Sequence, residues 1–205
     1  RIKAGQPLSS DVDELVRALN EAERPMLSIG DGVWKSGAQP EVIWLAEHFG
    51  APIAGDTRGV PIRHRLHCGR LDEAVDVLAP DLVVNLGVRN MQRGAPGDLA
   101  AVSSLRYMIA VGPDVEHVSK MPVDLAILAD VSGTIKCVKE SVHGQRPPRF
   151  GRRLDWAYRQ ADSLRAKRAE KAWSIAPHPS QIRPGNLAQA LDDALDRSGG
   201  GLVMT

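Results

Sequence analysis

Residues 24–37 have the sequence RPMLSIGDGVWKSG, in which a short apolar run leads directly into a glycine-rich loop. Pro25 interrupts the helical pattern before this run, and residues 26–29 have the composition of a short buried strand. The glycines permit a tight turn from a strand into a helix. A second apolar run at 82–86 is the clearest strand of the chain and leads into a loop that starts at Gly87. The two stretches predict strands of a parallel sheet.

The same alternation of short strands and amphipathic helices extends over residues 11–142. The strands are continuous apolar runs, which is typical of a sheet that is buried on both faces. We therefore predict an α/β fold, a Rossmann-like doubly wound parallel sheet of five to six strands with helices on both faces, followed by a helical C-terminal extension. The predicted helices lie near 11–22, 42–49, 70–79 and 131–142, and the predicted strands at 26–29, 51–54, 82–86, 107–111 and 125–128.

The composition changes after residue 143. A basic helix is predicted at 152–173 between two proline-containing segments, and a further amphipathic helix follows at 186–197. We divide the chain into a Rossmann-like domain at 1–143, a linker with a basic helix at 144–185 and the start of another domain at 186–205. Because the chain begins with Arg1 and stops where a strand is predicted to begin at 202–204, we expect it to be a piece of a longer protein.

Charge and cysteine content exclude several classes of protein. The 205 residues include 26 Lys and Arg against 25 Asp and Glu, so no overall field attracts nucleic acid or an anionic membrane. No apolar run approaches the roughly 18 residues that span a bilayer. Cys68 and Cys137 are far apart, which excludes a disulfide framework and a cysteine-rich zinc site. A reducing, cytoplasmic location is expected.

Polar residues follow several of the predicted strands, at the edge where open α/β sheets bind ligands. Arg58 and Arg89 suit phosphate groups, and Asp114 or Asp130 suits a ribose hydroxyl. The glycine spacing matches neither the dinucleotide fingerprint nor the P-loop, so glycines that only permit a tight turn are an equal alternative. The predicted cofactor-binding residues are Gly30, Gly32, Thr57, Arg58, Gly87, Arg89, Asp114 and Asp130.

No catalytic residue and no metal ligand is predicted. His64, His67 and Cys68 are the nearest approach to a metal or thiol site. Positive charge opposes cation binding there, because three arginines surround the group: Arg63, Arg65 and Arg70. Cys137 is expected to be a small buried apolar residue of the helix at 131–142.

Four blocks of sequence occur in the order found in one known family. Residues 24–33, 37–38 and 45–53 follow the pattern R-P-V-(I/L)-x-x-G-x-G-V, G-A and L-A-E-x-(L/F)-G-A-P-V. Residues 56–69 resemble a shortened T-x-x-G…H-P-L-x-x-G block. The segments D-L-V-V-N-L-G-V-R at 81–89 and V-D-L-A-I-L-A-D at 123–130 complete the set. The chain thus resembles the central domain of thiamine-diphosphate-dependent enzymes of the acetolactate synthase, benzoylformate decarboxylase and oxalyl-CoA decarboxylase group.

The resemblance implies a six-stranded Rossmann-like domain between two thiamine-binding domains, with residues 186–205 as the truncated start of the diphosphate-binding domain. The parent enzyme would cleave or form a carbon–carbon bond beside the carbonyl of a 2-keto acid or acyl-CoA, using thiamine diphosphate and Mg bound outside this chain. Its central domain would bind FAD or ADP through the loops above, or be purely structural. The family's catalytic Glu and its Mg-binding motif do not occur in the chain, so we expect the chain itself not to be catalytic.

Two departures from the family pattern argue against FAD. Gly112 replaces the first Asp of the I-x-I-D-x-D segment, of which Asp114 keeps the second, and Asn90 stands where an aromatic residue usually follows Arg89. The expected partners are the flanking thiamine-binding domains and, for the full-length protein, further copies of itself, with neither nucleic acid nor membrane. The alternative is a free-standing Rossmann-like module that binds FAD, ADP or NAD, or another protein, without any thiamine chemistry.

Overall fold

The computed structural model describes residues 5–56, 58–89, 105–119, 121–173 and 184–199. The chain forms two compact units, Arg1–Leu164 and Arg165–Thr205. Thr57, one of the predicted cofactor-binding residues, and the strand predicted at 202–204 lie outside the described residues. None of the helices in the described ranges combines the length and the apolar composition that a membrane crossing needs.

The first unit contains a five-stranded sheet in which all strands are parallel, in the order β2-β1-β3-β4-β5. The chain runs from β1 outward to β2 and then continues on the other side of β1. The strand order therefore reverses between β1 and β3, the point where doubly wound sheets form a crevice. The strands are β1 (Pro25–Ile29), β2 (Ile53–Gly55), β3 (Leu82–Leu86), β4 (Tyr107–Gly112) and β5 (Leu125–Leu128).

Eight helices are present in the described ranges. The two short helices α2 and α5 were not predicted from the sequence; the others confirm the predicted elements to within a few residues. The helices are α1 (Ser9–Glu21), α2 (Asp31–Ser36), α3 (Gln39–Phe49), α4 (Leu71–Leu78), α5 (Val115–Ser119), α6 (Val131–Ser141), α7 (Phe150–Trp173) and α8 (Pro184–Arg197).

Helices cover both faces of the sheet, as predicted. Successive strand residues point to opposite faces. Leu27 and Val84 belong to the core formed with α1, α3 and α6, whereas Met26 and Val83 belong to the core formed with α4 and the first part of α7. The burial of strand residues on both sides explains why the strands are mostly apolar, with Ser28 and Asn85 as buried polar exceptions.

The first part of α7 packs against the sheet and against α1. Ala157 and Ala161 are fully buried, and Arg153 is only 4% exposed. The Arg153 guanidinium donates to the carbonyls of Leu19 and Asn20, at 2.8 Å and 2.5 Å, in the last turn of α1. A cation is favoured at this end of a helix, where the carbonyl groups lack partners within the helix.

The segment predicted as a long polar loop at 56–69 is partly buried. Leu66 and Cys68 are fully buried, and residues 66–69 run along the outer edge of β2. Ile53 pairs with His67 in a parallel bridge, with Ile53 N–H donating to Leu66 and Cys68 N–H donating to Ile53. The sheet is thus extended by one bridge beyond its five strands.

Candidate functional site

One cleft of about 830 Å³ lies at the carboxyl edge of the sheet. Its size is typical of a site for a small ligand or cofactor. Five of the predicted residues line it, namely Gly32, Gly87, Arg89, Asp114 and Asp130. The structure therefore brings most of the predicted set into one place, at the end of the sheet where the sequence predicted it.

Backbone atoms of the β1 and β3 loops touch beneath this cleft. A Cβ atom on Gly30 would lie 2.3 Å from the Gly87 carbonyl oxygen, and one on Gly32 would lie 2.7 Å from the Gly87 Cα. Gly87 itself has φ of +59°, in the left-handed region that favours glycine. All three positions therefore require glycine for the chain's own packing.

The N–H groups of the same glycines are used inside the fold. Gly30 donates to the carbonyl of Leu86 at 3.0 Å, and Gly32 donates to that of Gly87 at 3.0 Å. Gly87 donates to the carbonyl of Val111 at 2.9 Å. These hydrogen bonds connect neighbouring loops, so the N–H groups of Gly30, Gly32 and Gly87 are not available to an anion in the cleft.

Arg89, on the loop after β3, contacts Asp31, at the start of α2, across the point where the strand order reverses (the switch point). The sequence analysis did not select Asp31. Its guanidinium lies 2.5 Å from Asp31, and Lys35 lies 2.7 Å from the same carboxylate. Asp31 and Lys35 also line the cleft. They are four residues apart on α2, so their pairing would have followed from recognising that helix.

Arg58 is paired with Asp56 and does not line the cleft. Two nitrogens of the guanidinium contact the carboxylate, the closest at 2.5 Å, and the guanidinium carbon lies 5.5 Å from the ring centre of Trp34. The hydrogen bonds from Arg58 lower the pKa of Asp56, and the same bonds raise the pKa of Arg58. A phosphate group would have to compete with Asp56 for this arginine.

The two aspartates at the other end of the cleft cap helices. Asp130 accepts from the N–H of Gly133 at 2.8 Å at the start of α6. Asp114 accepts from Glu116 N–H at 2.9 Å and pairs with the His117 side chain at 2.9 Å. N-capping explains both carboxylates without a ligand, and each keeps further lone pairs that a hydroxyl group can use.

The histidines near Cys68 have structural contacts. His67 is fully buried and its Nδ1 accepts from the Gly69 N–H at 2.8 Å, while His64 lies 3.5 Å from Glu47. Within the described ranges, no group of three or more His, Cys, Asp or Glu side chains is placed to hold a metal ion. Cys137 was predicted to be buried; it is half-buried, because one side of α6 faces outward there.

Comparison with known proteins defines the family. Residues 12–138 match the family described as thiamine pyrophosphate enzyme, central domain. The chain belongs to this family. The match covers the sheet and its helices from α1 to most of α6, and it confirms the resemblance read from the sequence blocks.

Two acetolactate synthases are among the relatives of this central domain. It is 25% identical over 150 residues to the acetolactate synthase large subunit of Corynebacterium glutamicum, which covers 68% of the chain and 24% of the relative. It is 26% identical over 198 residues to probable acetolactate synthase 2, chloroplastic, of Oryza sativa subsp. japonica, covering 91% of the chain and 29% of the relative. The chain therefore spans between about a quarter and a third of the length of these curated relatives.

Solved structures of thiamine-dependent enzymes share the fold. Benzoylformate decarboxylase from Polynucleobacter necessarius superposes with a TM-score of 0.58 at 20% identity, over 67% of this chain and 28% of that one. The thiamine diphosphate-dependent 4-hydroxybenzoylformate decarboxylase of Rhodococcus jostii RHA1 gives 0.57 at 24% identity, over 72% of this chain and 29% of that one. At these identities the comparison establishes the architecture of the domain.

Proposed function

We propose that this chain is the central scaffold domain of a thiamine diphosphate-dependent enzyme that forms or cleaves a carbon–carbon bond beside the carbonyl of a 2-keto acid. The family match supports the thiamine-dependent class, and the acetolactate synthase relatives support a 2-keto acid as the substrate class. The partners of the domain are the flanking thiamine-binding domains, and the complete protein is a homo-oligomer.

The observation that supports the scaffold role is the close backbone contact between the loops after β1 and β3. The glycines that a nucleotide motif would use, Gly30 and Gly32, are pressed against Gly87, and their N–H groups donate to neighbouring carbonyls. Arg58 and Arg89 are each paired with an aspartate of the domain itself. The loops at this edge are thus stabilised by each other.

In the parent enzyme, thiamine diphosphate would supply the carbanion chemistry that bond cleavage or formation beside a carbonyl requires. Its diphosphate requires Mg and metal-ligating side chains, which do not form a cluster among the described residues of this chain. We assign no catalytic step to the described residues of this domain. The role of this domain is to provide a rigid sheet that supports the domains on either side.

The experiment is a turnover assay on the complete protein from which this chain comes. It is expressed with its flanking sequence and assayed for acetolactate formation from pyruvate and for decarboxylation of benzoylformate. Turnover of either acid that requires added thiamine diphosphate and Mg supports the proposal. If the folded protein neither binds thiamine diphosphate nor turns over a 2-keto acid, the proposal is wrong.

A second candidate function is the binding of an ADP-containing ligand in the cleft. The observation in its favour is that Arg89 and Lys35 lie at one end and Asp114 and Asp130 at the other, an arrangement that suits phosphates and a ribose. A thermal shift with ADP, FAD, coenzyme A or NAD tests it. A ligand at a hundred times its Kd stabilises by about 2.7 kcal/mol, which is several degrees for a chain of this length.

A further inference from the structure

The cleft at the switch point contains a carboxylate held between two cations. Asp31 lies 2.7 Å from the Lys35 ammonium and 2.5 Å from the Arg89 guanidinium. Only 19% of the Asp31 side chain is exposed, whereas the Lys35 and Arg89 side chains are 48% and 50% exposed. The anion is therefore the most enclosed member of the group, and the two cations converge on it from the cleft wall.

This arrangement matches the way in which proteins hold a phosphate. Arginine and lysine are the side chains that bind phosphate oxygens, and short charge-assisted contacts to an oxyanion are the strongest hydrogen bonds they make. In this chain, the oxygen that Lys35 and Arg89 contact belongs to the Asp31 carboxylate. The pKa of Arg58 is raised mainly by its hydrogen bonds to Asp56, and the charge of Asp31 adds to that effect.

The position of Asp31 is fixed by its neighbours in the sequence. Gly30 and Gly32 both lie against the backbone of Gly87, so the Cα of Asp31 cannot move away from the cleft without breaking these two contacts. Their N–H groups donate to Leu86 and Gly87 on either side of the aspartate. A ligand phosphate that bound Lys35 and Arg89 would displace them from Asp31. The partly buried Asp31 carboxylate would then lose its partners and lie close to the negative charge of the phosphate.

We propose that Asp31 is a specificity-determining residue: its carboxylate is a built-in substitute for a phosphate group, which occupies Lys35 and Arg89 and so excludes diphosphate ligands from the cleft. The inference deepens the proposed scaffold function and rests on it for the view that the wild-type cleft takes no diphosphate. The turnover assay above tests the thiamine-dependent parent, whereas the experiment below tests Asp31 alone, so that the two can fail separately.

The test compares anion binding by the wild-type chain and by Asp31→Asn, using isothermal titration calorimetry at low salt with inorganic pyrophosphate and with ADP as probes. We expect Asp31→Asn to bind both probes at least tenfold more tightly than the wild type. The gain should disappear in the double variant Asp31→Asn/Arg89→Gln, because the freed guanidinium is then missing. Asp72→Asn is the matched control, since Asp72 forms a similar pair with Arg70 at 2.7 Å and does not line the cleft.

The outcomes decide the proposal in both directions. A gain in Asp31→Asn that is absent in Asp72→Asn and in the double variant supports it. Equal binding by the folded wild type and Asp31→Asn overturns it, as does an equal gain in Asp72→Asn, which would reflect net charge only. Asp31→Ser is a second neutral variant; if both substitutions unfold the chain in thermal melts, Asp31 is a structural residue and the proposal is wrong.

Discussion

The close contact between the loops after β1 and β3 leads to a quantitative prediction for Gly87→Ala. Two separate effects destabilise this variant. The residue has φ of +59°, where a Cβ atom costs about 1–2 kcal/mol. The new Cβ would also lie 2.7 Å from the Gly32 Cα and 2.9 Å from the Val33 nitrogen. These are backbone atoms that cannot rotate away, and overpacking of this kind costs about 1–3 kcal/mol.

Gly37→Ala is a matched control that contains only the first effect. Gly37 has φ of +69°, close to that of Gly87, but a Cβ atom there would meet nothing within 4 Å. We therefore expect Gly37→Ala to lose about 1–2 kcal/mol and Gly87→Ala about 2–5 kcal/mol. The difference between the two variants isolates the contribution of the close approach.

Urea unfolding followed by circular dichroism measures both free energies of unfolding. A difference of about 2 kcal/mol corresponds to a Tm roughly 4–8 °C lower for Gly87→Ala than for Gly37→Ala in a chain of this length. If the two variants unfold within about 0.5 kcal/mol of each other, the loops do not make the tight contact, and the argument that their glycines serve packing fails.

Two further predictions concern the rest of the first unit. Arg153→Met removes the donors that satisfy the Leu19 and Asn20 carbonyls at the end of α1, and we expect a loss of about 2–4 kcal/mol in urea unfolding, against less than about 0.5 kcal/mol for the exposed Arg152→Met. The hydrogen bond from Tyr107 to Glu14, together with burial, raises the pKa of Tyr107 from 10.0 to about 12. The folded state therefore holds this proton more tightly than the unfolded state, so the stabilisation is complete below pH 10.0 and is lost as the pH rises towards about 12. Unfolding monitored from pH 8 to 12 should show that loss in the wild type and a smaller one in Tyr107→Phe.

The sheet could be predicted because its strands are apolar on both faces. Residues 82–86 lie in the middle of the sheet, with neighbours on both sides and cores above and below, so every side chain is buried and all except Asn85 are apolar. Helices α1, α3, α4 and α6 were equally visible, since each has one buried stripe. In α6, Ile135 and Val138 are buried by the core under α1 and α3.

The short helices and the edge of the sheet could not be predicted in the same way. Helix α2 has six residues, one of them Gly32, and therefore lacks both the length and the composition that periodicity needs. The segment at 56–69 is rich in Arg and His, yet Leu66 and Cys68 are buried because the chain pairs with the edge of β2. Pairing of this kind depends on a partner that is distant in sequence.

The candidate site shows a different limit. The sequence indicated which loops meet, and five of the eight predicted residues line the cleft. It could not indicate that Arg89 contacts Asp31 on the neighbouring loop, because that contact depends on the turn at the switch point. Charged residues in a row of loops show where a ligand site is possible, but only their distances show whether the charges are already paired.

The glycine pattern and the aspartate within it therefore have separate roles in this chain. Gly30 and Gly32 allow the β1 loop to lie against Gly87, and their N–H groups donate to the carbonyls of Leu86 and Gly87. Since the N–H groups of both glycines are already hydrogen-bonded, the electrostatics of this end of the cleft depend on the side chain between them. Because that side chain is Asp31, both nearby cations have a partner within the chain, and the one carboxylate offsets one of their two positive charges. We expect a neutral residue at this one position to leave the fold intact, since both cations are about half exposed and ion pairs near the surface contribute only about 0–1 kcal/mol. The two cations would then be available to an anion.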